Sequence, residues 1–371
     1  MFIFFAGYAN IVLQHFRGRR KKMKKVISIL LACIIFASCS VCAFAAPYGD
    51  ESELNSLRTA FVDGKGPKTN GFAIDYAAYS PVNGENDETK YPLVIMLHGL
   101  SEGLSPRSQL KKNNFVYWAR EDFQSRFPEG GAFLVAMRSP EERIACWANE
   151  LIEPLMAAIT DFVATHKNVD TTRIYLGGFS MGGKMTIRMA ITYPKAFAAI
   201  FPICPADSFT DKQISYIKDI PMWLTVSTRD TTAGWYTFSE SIWKSYCKQT
   251  SFKEDSRLSL LSTVYYPNGT KTVSNHHAWF AVTYDMFAEN GGNYPNMKTV
   301  NASGDSVALT FPDGMISWLS SHSSEYDGSA QTPSGGNSLH ELQTVWYLKS
   351  IFPWILSIFR VIGEVFASFF K

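Results

Sequence analysis

"RIYLGGFSMGGKM", residues 173–185, sets one serine between two pairs of glycines. Before it stands the apolar run "IYL" and after it a helix-like run, "KMTIRMAITY" (184–193). A short run that is apolar throughout suits a strand buried on both faces of a parallel sheet. Ser180 then sits on the turn where a buried strand hands over to a helix. Two readings are open here: a nucleophile held on a tight turn, or an ordinary serine in a Gly-rich connection. Gly178-Phe179-Ser180-Met181-Gly182 fits the G-x-S-x-G pattern, and the strand–turn–helix setting is the context that pattern needs. Gly178 and Gly182 carry no Cβ to collide with the neighbouring strand and helix.

Outward from this stretch the chain alternates short apolar runs with amphipathic segments. "PLVIMLHG" (92–99), "AFLVAMR" (132–138), "RIYLGG" (173–178), "FAAIFPIC" (197–204) and "MWLTVST" (222–228) read as buried strands. "ELIEPLMAAITDFVATHK" (150–167) reads as an intervening helix. This alternation predicts an α/β fold with a mostly parallel central sheet flanked by helices. Residues 47–90 are expected to add leading antiparallel strands, and "DGMISWLSSH" (313–322) a last helix.

At 371 residues and 46% hydrophobic content, the chain is long enough for one large domain with appendages. Residues 1–45 hold seven basic side chains and no acid; the remainder carries 28 basic against 33 acidic ones, a balance of about −5. That balance excludes the basic surface expected of a nucleic-acid binder. The segment from Met23, with Lys24 and Lys25, an apolar run (26–36) and Ala43-Phe44-Ala45, has the parts of a bacterial-type secretory signal peptide cleaved near Ala45. Met23 is the expected start. Residues 46–322 are then the catalytic domain, and "SSEYDGSAQTPSGGNS" opens a flexible Ser/Gly/Pro linker over 323–340. In 341–371 the polar residues Lys349, Pro353, Ser357, Arg360, Glu364, Ser368 and Lys371 recur every three or four positions. This spacing predicts an amphipathic helix, read as a membrane-surface or self-association element or as one folded back on its own domain. Cys146, Cys204 and Cys247 remain after cleavage, so at most one internal disulfide forms, and their spacing matches no zinc site.

A serine hydroxyl is a poor nucleophile without a base. On a sheet of this kind the partners follow in the order serine, acid, histidine. Asp230, in "MWLTVSTRDTT", stands after the next-but-one strand and is the expected acid; Asp207, in "CPADSF", is the fallback. "YYPNGTKTVSNHHAWF" offers His276 and His277 as bases, while His322 and His340 flank the linker and are poorly placed. Two backbone N–H groups are needed for the developing oxyanion. Met181, directly after the serine, supplies one and Leu100, in the loop after His98-Gly99, the other; His98 itself is read as a structural residue of that loop. Trp147, Trp235, His277 and Trp279 are the expected substrate contacts, with a loop-buttressing role as the other reading of the tryptophans.

"PLVIMLHGLSEG", "VDTTRIYLGGFSMGGKMTIRMAITYPKAFAAIFPIC" and "HHAW" together resemble the secreted esterase and "predicted peptidase" branch of the α/β-hydrolases. Relatives in that branch include carboxylesterases, feruloyl esterases and poly(3-hydroxybutyrate) depolymerases. The resemblance spans roughly residues 68–320 and implies an α/β-hydrolase fold. It selects His276 over His277, because the branch commonly places its base three residues before a tryptophan, here Trp279. The loop Leu100-Ser101-Glu102, the acid loop Ser227-Thr228-Arg229-Asp230 and a long interval over 286–312 depart from the common pattern. The expected activity is hydrolysis of small or polymeric carboxylic esters through a Ser180–His276–Asp230 triad, with no metal and no organic cofactor. A prolyl-oligopeptidase-like peptidase and a non-catalytic surface-attachment module are the alternatives.

Overall fold

Continuous apolar runs become the middle of the sheet. In the computed structural model β3 (Tyr91–Leu97), β4 (Phe133–Arg138), β6 (Ala199–Ile203) and β7 (Trp223–Ser227) are buried along their whole length. Between them lies β5 (Val169–Phe179), the strand that leads to Ser180. Shorter or more polar strands form the flanks: β1 (Val62–Lys65) and β2 (Asp75–Tyr79) on one side, β8 (Arg257–Leu261) and β9 (Met297–Asn301) on the other. The nine strands are ordered β1-β2-β4-β3-β5-β6-β7-β8-β9. Neighbours from β4 to β8 pair in parallel, whereas β1–β2, β2–β4 and β8–β9 pair antiparallel.

The structure describes residues 51–82, 88–112, 115–140, 147–266, 269–272, 274–289, 297–307 and 314–329, with 331 and 333. The expected signal peptide, Cys146 and the amphipathic segment 341–371 lie outside the described residues. Cys204 and Cys247 are both free thiols. Among the described residues no helix is long and apolar enough to cross a membrane.

The main helices are α1 (Glu51–Thr59), α2 (Ile152–Thr165), α3 (Met181–Thr192), α4 (Glu240–Gln249), α5 (Trp279–Thr283) and α6 (Met315–Ser320). Every residue of α3 is buried. Met, Ile, Ala, Thr and Gly make up most of it, and the two charged side chains, Lys184 and Arg188, are buried as well, Arg188 against the Asp207 carboxylate. Pro194 follows immediately and disfavours helical backbone at Tyr193, so α3 stops there. α2 carries Pro154 in its first turn, where the missing N–H has no intrahelical partner to lose.

The segment read as a flexible linker from residue 323 begins as packed chain. Ser324 donates its amide to the Thr172 carbonyl at 2.7 Å, and Tyr326 is only 2% exposed. The Tyr175 hydroxyl on β5 donates to the His322 carbonyl at 2.9 Å, which ties the end of α6 to the central sheet. One aromatic residue in a Ser/Gly-rich run is enough to anchor it, so the packed domain continues to about residue 329.

Candidate active site

Parallel strands deliver the loops at their C-terminal ends to one side of the sheet. There β5 ends at Phe179, and Ser180 adopts φ 57° and ψ −111° before α3 begins. A non-glycine residue at positive φ costs on the order of 1–3 kcal/mol, and such strain persists only where the surroundings enforce it. The surroundings here are backbone. The Ser180 amide donates to the Ile203 carbonyl on β6 at 2.8 Å, and the Ser180 carbonyl accepts from Lys184 at 2.9 Å and Ala206 at 3.2 Å. The glycines let this turn close. A Cβ on Gly182 would lie 2.1 Å from the Leu97 carbonyl oxygen of β3, and one on Gly178 2.5 Å from the Gly182 backbone. Met181, the first residue of α3, has one of the amides that a helix leaves without an intrahelical partner.

Asp230 lies three residues beyond β7, and its side chain is fully buried. Its Oδ2 accepts from His276 Nδ1 at 2.7 Å. Its Oδ1 accepts from the amides of Thr232 at 2.7 Å and Ala233 at 3.1 Å. Burial alone would raise the pKa of this carboxyl. The hydrogen bond and charge of His276, with the two amides, outweigh burial and hold it below the ordinary carboxylate value. Asp230 is therefore ionised near neutral pH. His276 is fixed from its own loop as well. Its amide donates to Ser274 Oγ at 3.2 Å, and Asn275 Oδ1 accepts from the Val264 amide at 3.0 Å. The His276 ring packs 4.7 Å from the ring of Phe179, the residue before the serine. With Nδ1 donating to Asp230, Nε2 is the nitrogen left to accept a proton.

The loop after β3 is a second rigid wall. His98 is buried; its Nδ1 donates to the Gly99 carbonyl at 2.7 Å and its Nε2 accepts from the Ser139 amide at 3.1 Å. Burial lowers its pKa to about 4, so the ring is a neutral strut. Glu102 Oε2 accepts from the Gly99 amide at 2.7 Å, and Ser101 takes φ 62°. Leu100 rides on the outside of this loop, 57% exposed.

Trp147 is buried, donates Nε1–H to the His98 carbonyl at 3.0 Å and packs at a tilt against the His98 ring, centroids 5.0 Å apart. That is the place of a buttress under the first loop, not of a surface that meets a ligand. Trp235 and Trp279 are also largely buried, Trp279 stacked on Phe280 at 3.7 Å. His277 is partly exposed; burial first, then the charge of His276, lowers its pKa to about 4. Asp207 does not face His276 but pairs with buried Arg188 of α3. The residue that the sequence did not single out is Cys204. Its sulfur and the donor atoms of Asp230 and His276 all lie within 4.8 Å of one another, the one group of metal-competent side chains among the described residues.

The strand order, the serine at the β5–α3 turn and the Asp230–His276 bond set this chain beside known structures. A solved structure described as a thermostable esterase aligns with 72% of this chain and 64% of its own, at 22% identity and a TM-score of 0.55. The fold is thus that of the α/β-hydrolases. A ferulic acid esterase structure aligns over 60% of this chain and 95% of its own, at 12% identity and a TM-score of 0.45. The chain belongs to an esterase family: the family model described as "Putative esterase" matches residues 73–283, more than half of its length. Among curated relatives, the bifunctional acetylxylan esterase/xylanase XynS20E of Neocallimastix patriciarum is 24% identical over 277 residues. That alignment covers 72% of this chain and 38% of the relative, so the chain matches well under half of that protein.

Proposed function

We propose that the protein is a secreted serine ester hydrolase with Ser180, His276 and Asp230 as its triad. In this reading Ser180 Oγ attacks the ester carbonyl while His276 Nε2 takes its proton. The imidazolium returns that proton to the leaving alcohol, and a water then repeats the sequence on the acyl-enzyme. Asp230 holds the ring by Nδ1 and stabilises its positive form. The amides of Met181 and Leu100 hold the oxyanion, which the N-terminus of α3 also favours. The observation that carries this proposal is the 2.7 Å bond from His276 Nδ1 to a buried, ionised Asp230. It occurs in an esterase-family chain whose Ser180 has the strained backbone of an elbow.

Substrate choice follows from the relatives and the exposed rim. The name of the curated relative directs the first choice to acetyl esters on xylan. Leu100, and Tyr236 at 75% exposure, put apolar surface on the oxyanion and acid loops. His277, Trp235 and Trp279 are the remaining proposed contacts, with Trp147 assigned to loop support. Export through residues 1–45 and surface attachment or self-association through 341–371 complete the proposal.

A labelled fluorophosphonate followed by peptide mapping tests it. Modification is expected at Ser180, and Ser180→Ala is expected to lose both labelling and hydrolysis of p-nitrophenyl acetate. Hydrolysis of proline p-nitroanilide peptides without ester hydrolysis would overturn the ester reading in favour of a peptidase. Full activity in Ser180→Ala would overturn the triad.

A further inference from the structure

Cys204 follows β6 directly and turns the chain with φ 44°. This is left-handed backbone, which a side chain other than glycine, Asn or Asp adopts rarely. The residue is wholly buried. Its amide donates to the Thr225 carbonyl of β7 at 2.9 Å, and the carbonyl of Ile203, one residue before, accepts from the Ser180 amide at 2.8 Å. Ile203 and Cys204 together thus tie the Ser180 turn to the strand that precedes Asp230. Its sulfur lies within 4.8 Å of the donor atoms of both Asp230 and His276.

Burial, and then the facing Asp230 carboxylate, push the Cys204 thiol well above its ordinary range. It is a neutral S–H at working pH and cannot act as a nucleophile, which needs the thiolate. A neutral thiol is a weak donor, and an ionised carboxylate is an acceptor only. Asp230 already accepts from His276, Thr232 and Ala233. We propose that Cys204 is a positioning residue of the triad, its S–H facing the Asp230 carboxylate and helping to fix and partly neutralise it behind His276.

The inference rests on the triad reading above, and it has a consequence that space filling lacks. Without the S–H, the carboxylate is less compensated and holds the imidazolium more tightly. The acid limb of kcat/KM then moves to higher pH. The titratable groups that act on the pair are His277, kept neutral by burial, and the thiol itself.

The test uses the whole enzyme as wild type, Cys204→Ala and Cys204→Ser, with two readouts. One is the pH profile of kcat/KM on p-nitrophenyl acetate; the other is the low-field proton resonance of His276 Nδ1–H. In Cys204→Ala the acid limb is expected to rise by ~0.5 pH unit. The resonance should shift, and kcat should fall about fivefold, the size of one ordinary hydrogen bond. KM should stay unchanged. Cys204→Ser, which keeps a donor, should bring limb and resonance back toward wild type. Cys204→Gly suits the positive φ and removes the donor, so it supplies the donor-free state a second time if the alanine variant does not fold. A donor-free variant with the wild-type limb and resonance overturns the proposal, whatever its melting temperature; so does a serine variant that shifts as alanine does. If the wild type hydrolyses no ester, the resonance still reports whether the thiol acts on the Asp230–His276 bond, so the two failures are told apart.

Discussion

Two aspartates stand beyond neighbouring strands, and their partners separate their roles. Asp230 accepts from His276, while Asp207 pairs with Arg188, which also donates to Asn149. Asp230→Asn should keep the fold but lower kcat by about 10³–10⁴, because the amide no longer holds the histidine in the useful tautomer. Asp207→Ala should do the reverse. It takes the Asp207 carboxylate away from a buried guanidinium, at a cost of about 3–5 kcal/mol, while kcat per folded molecule changes little. Urea melts beside active-site-titrated kcat values check both. A loss of kcat in folded Asp207→Ala matching that of Asp230→Asn would make Asp207 the catalytic acid. At this scale the candidates Ser180, Asp230 and His276 could be picked out because each falls after a recognisable strand or turn, and the structure bonds two of them, His276 and Asp230, to each other. Cys204 was not, because cysteine has no preference for positive φ and nothing in "FPICPAD" says which side chain turns toward Asp230.

Elements were legible in proportion to their burial. The five central strands announce themselves as uninterrupted apolar runs because both faces are covered. β1, "VDGK", is almost entirely exposed, and β8 and β9 are only partly buried, so their sequences carry little strand signal. α1 went unread for a similar reason: only Leu54 and Arg58 of its nine residues are buried. The junction between β5 and α3 makes a sharper demand than either element alone, since α3 lies against β3 with no room at Gly182. Gly182→Ala should force the helix away from the Leu97 carbonyl and destabilise the fold by about 2–3 kcal/mol, as overpacking a core does. The Met181 amide would shift with the helix, so kcat should fall even in molecules that remain folded. A Gly182→Ala enzyme with wild-type stability and kcat would show that the elbow has slack that the 2.1 Å approach denies.

For the whole molecule, buried titratable groups set how stability responds to acid, and two kinds oppose each other. Burial lowers His98, His277 and His322 to about 4 from the ordinary 6.5. Below pH 6.5 the unfolded chain protonates these rings and the native protein does not, so the stability they give above that pH is lost as pH falls toward 4. Asp285 works the other way. It accepts from the Met315 amide at 2.6 Å and pairs with Arg126 at 3.3 Å, yet burial lifts it to about 6 from 3.8. Between those two values the native state keeps a proton that the unfolded chain releases, so its contribution is present below 3.8 and lost as pH rises through 6. Three protons taken up on unfolding against one released leave a net of about two. The unfolding free energy should therefore fall by up to about 2.7 kcal/mol per pH unit between pH 6 and 4, since each net proton contributes about 1.4. Asp285→Asn removes the opposing group, so its acid slope should steepen toward about 4 kcal/mol per unit, and its stability relative to wild type should worsen as pH falls. Denaturant unfolding at half-unit pH steps measures both slopes. A flat wild-type profile from pH 6.5 to 4 would mean that these rings take up protons without unfolding; parallel wild-type and Asp285→Asn profiles would mean that Asp285 is already ionised in the folded protein.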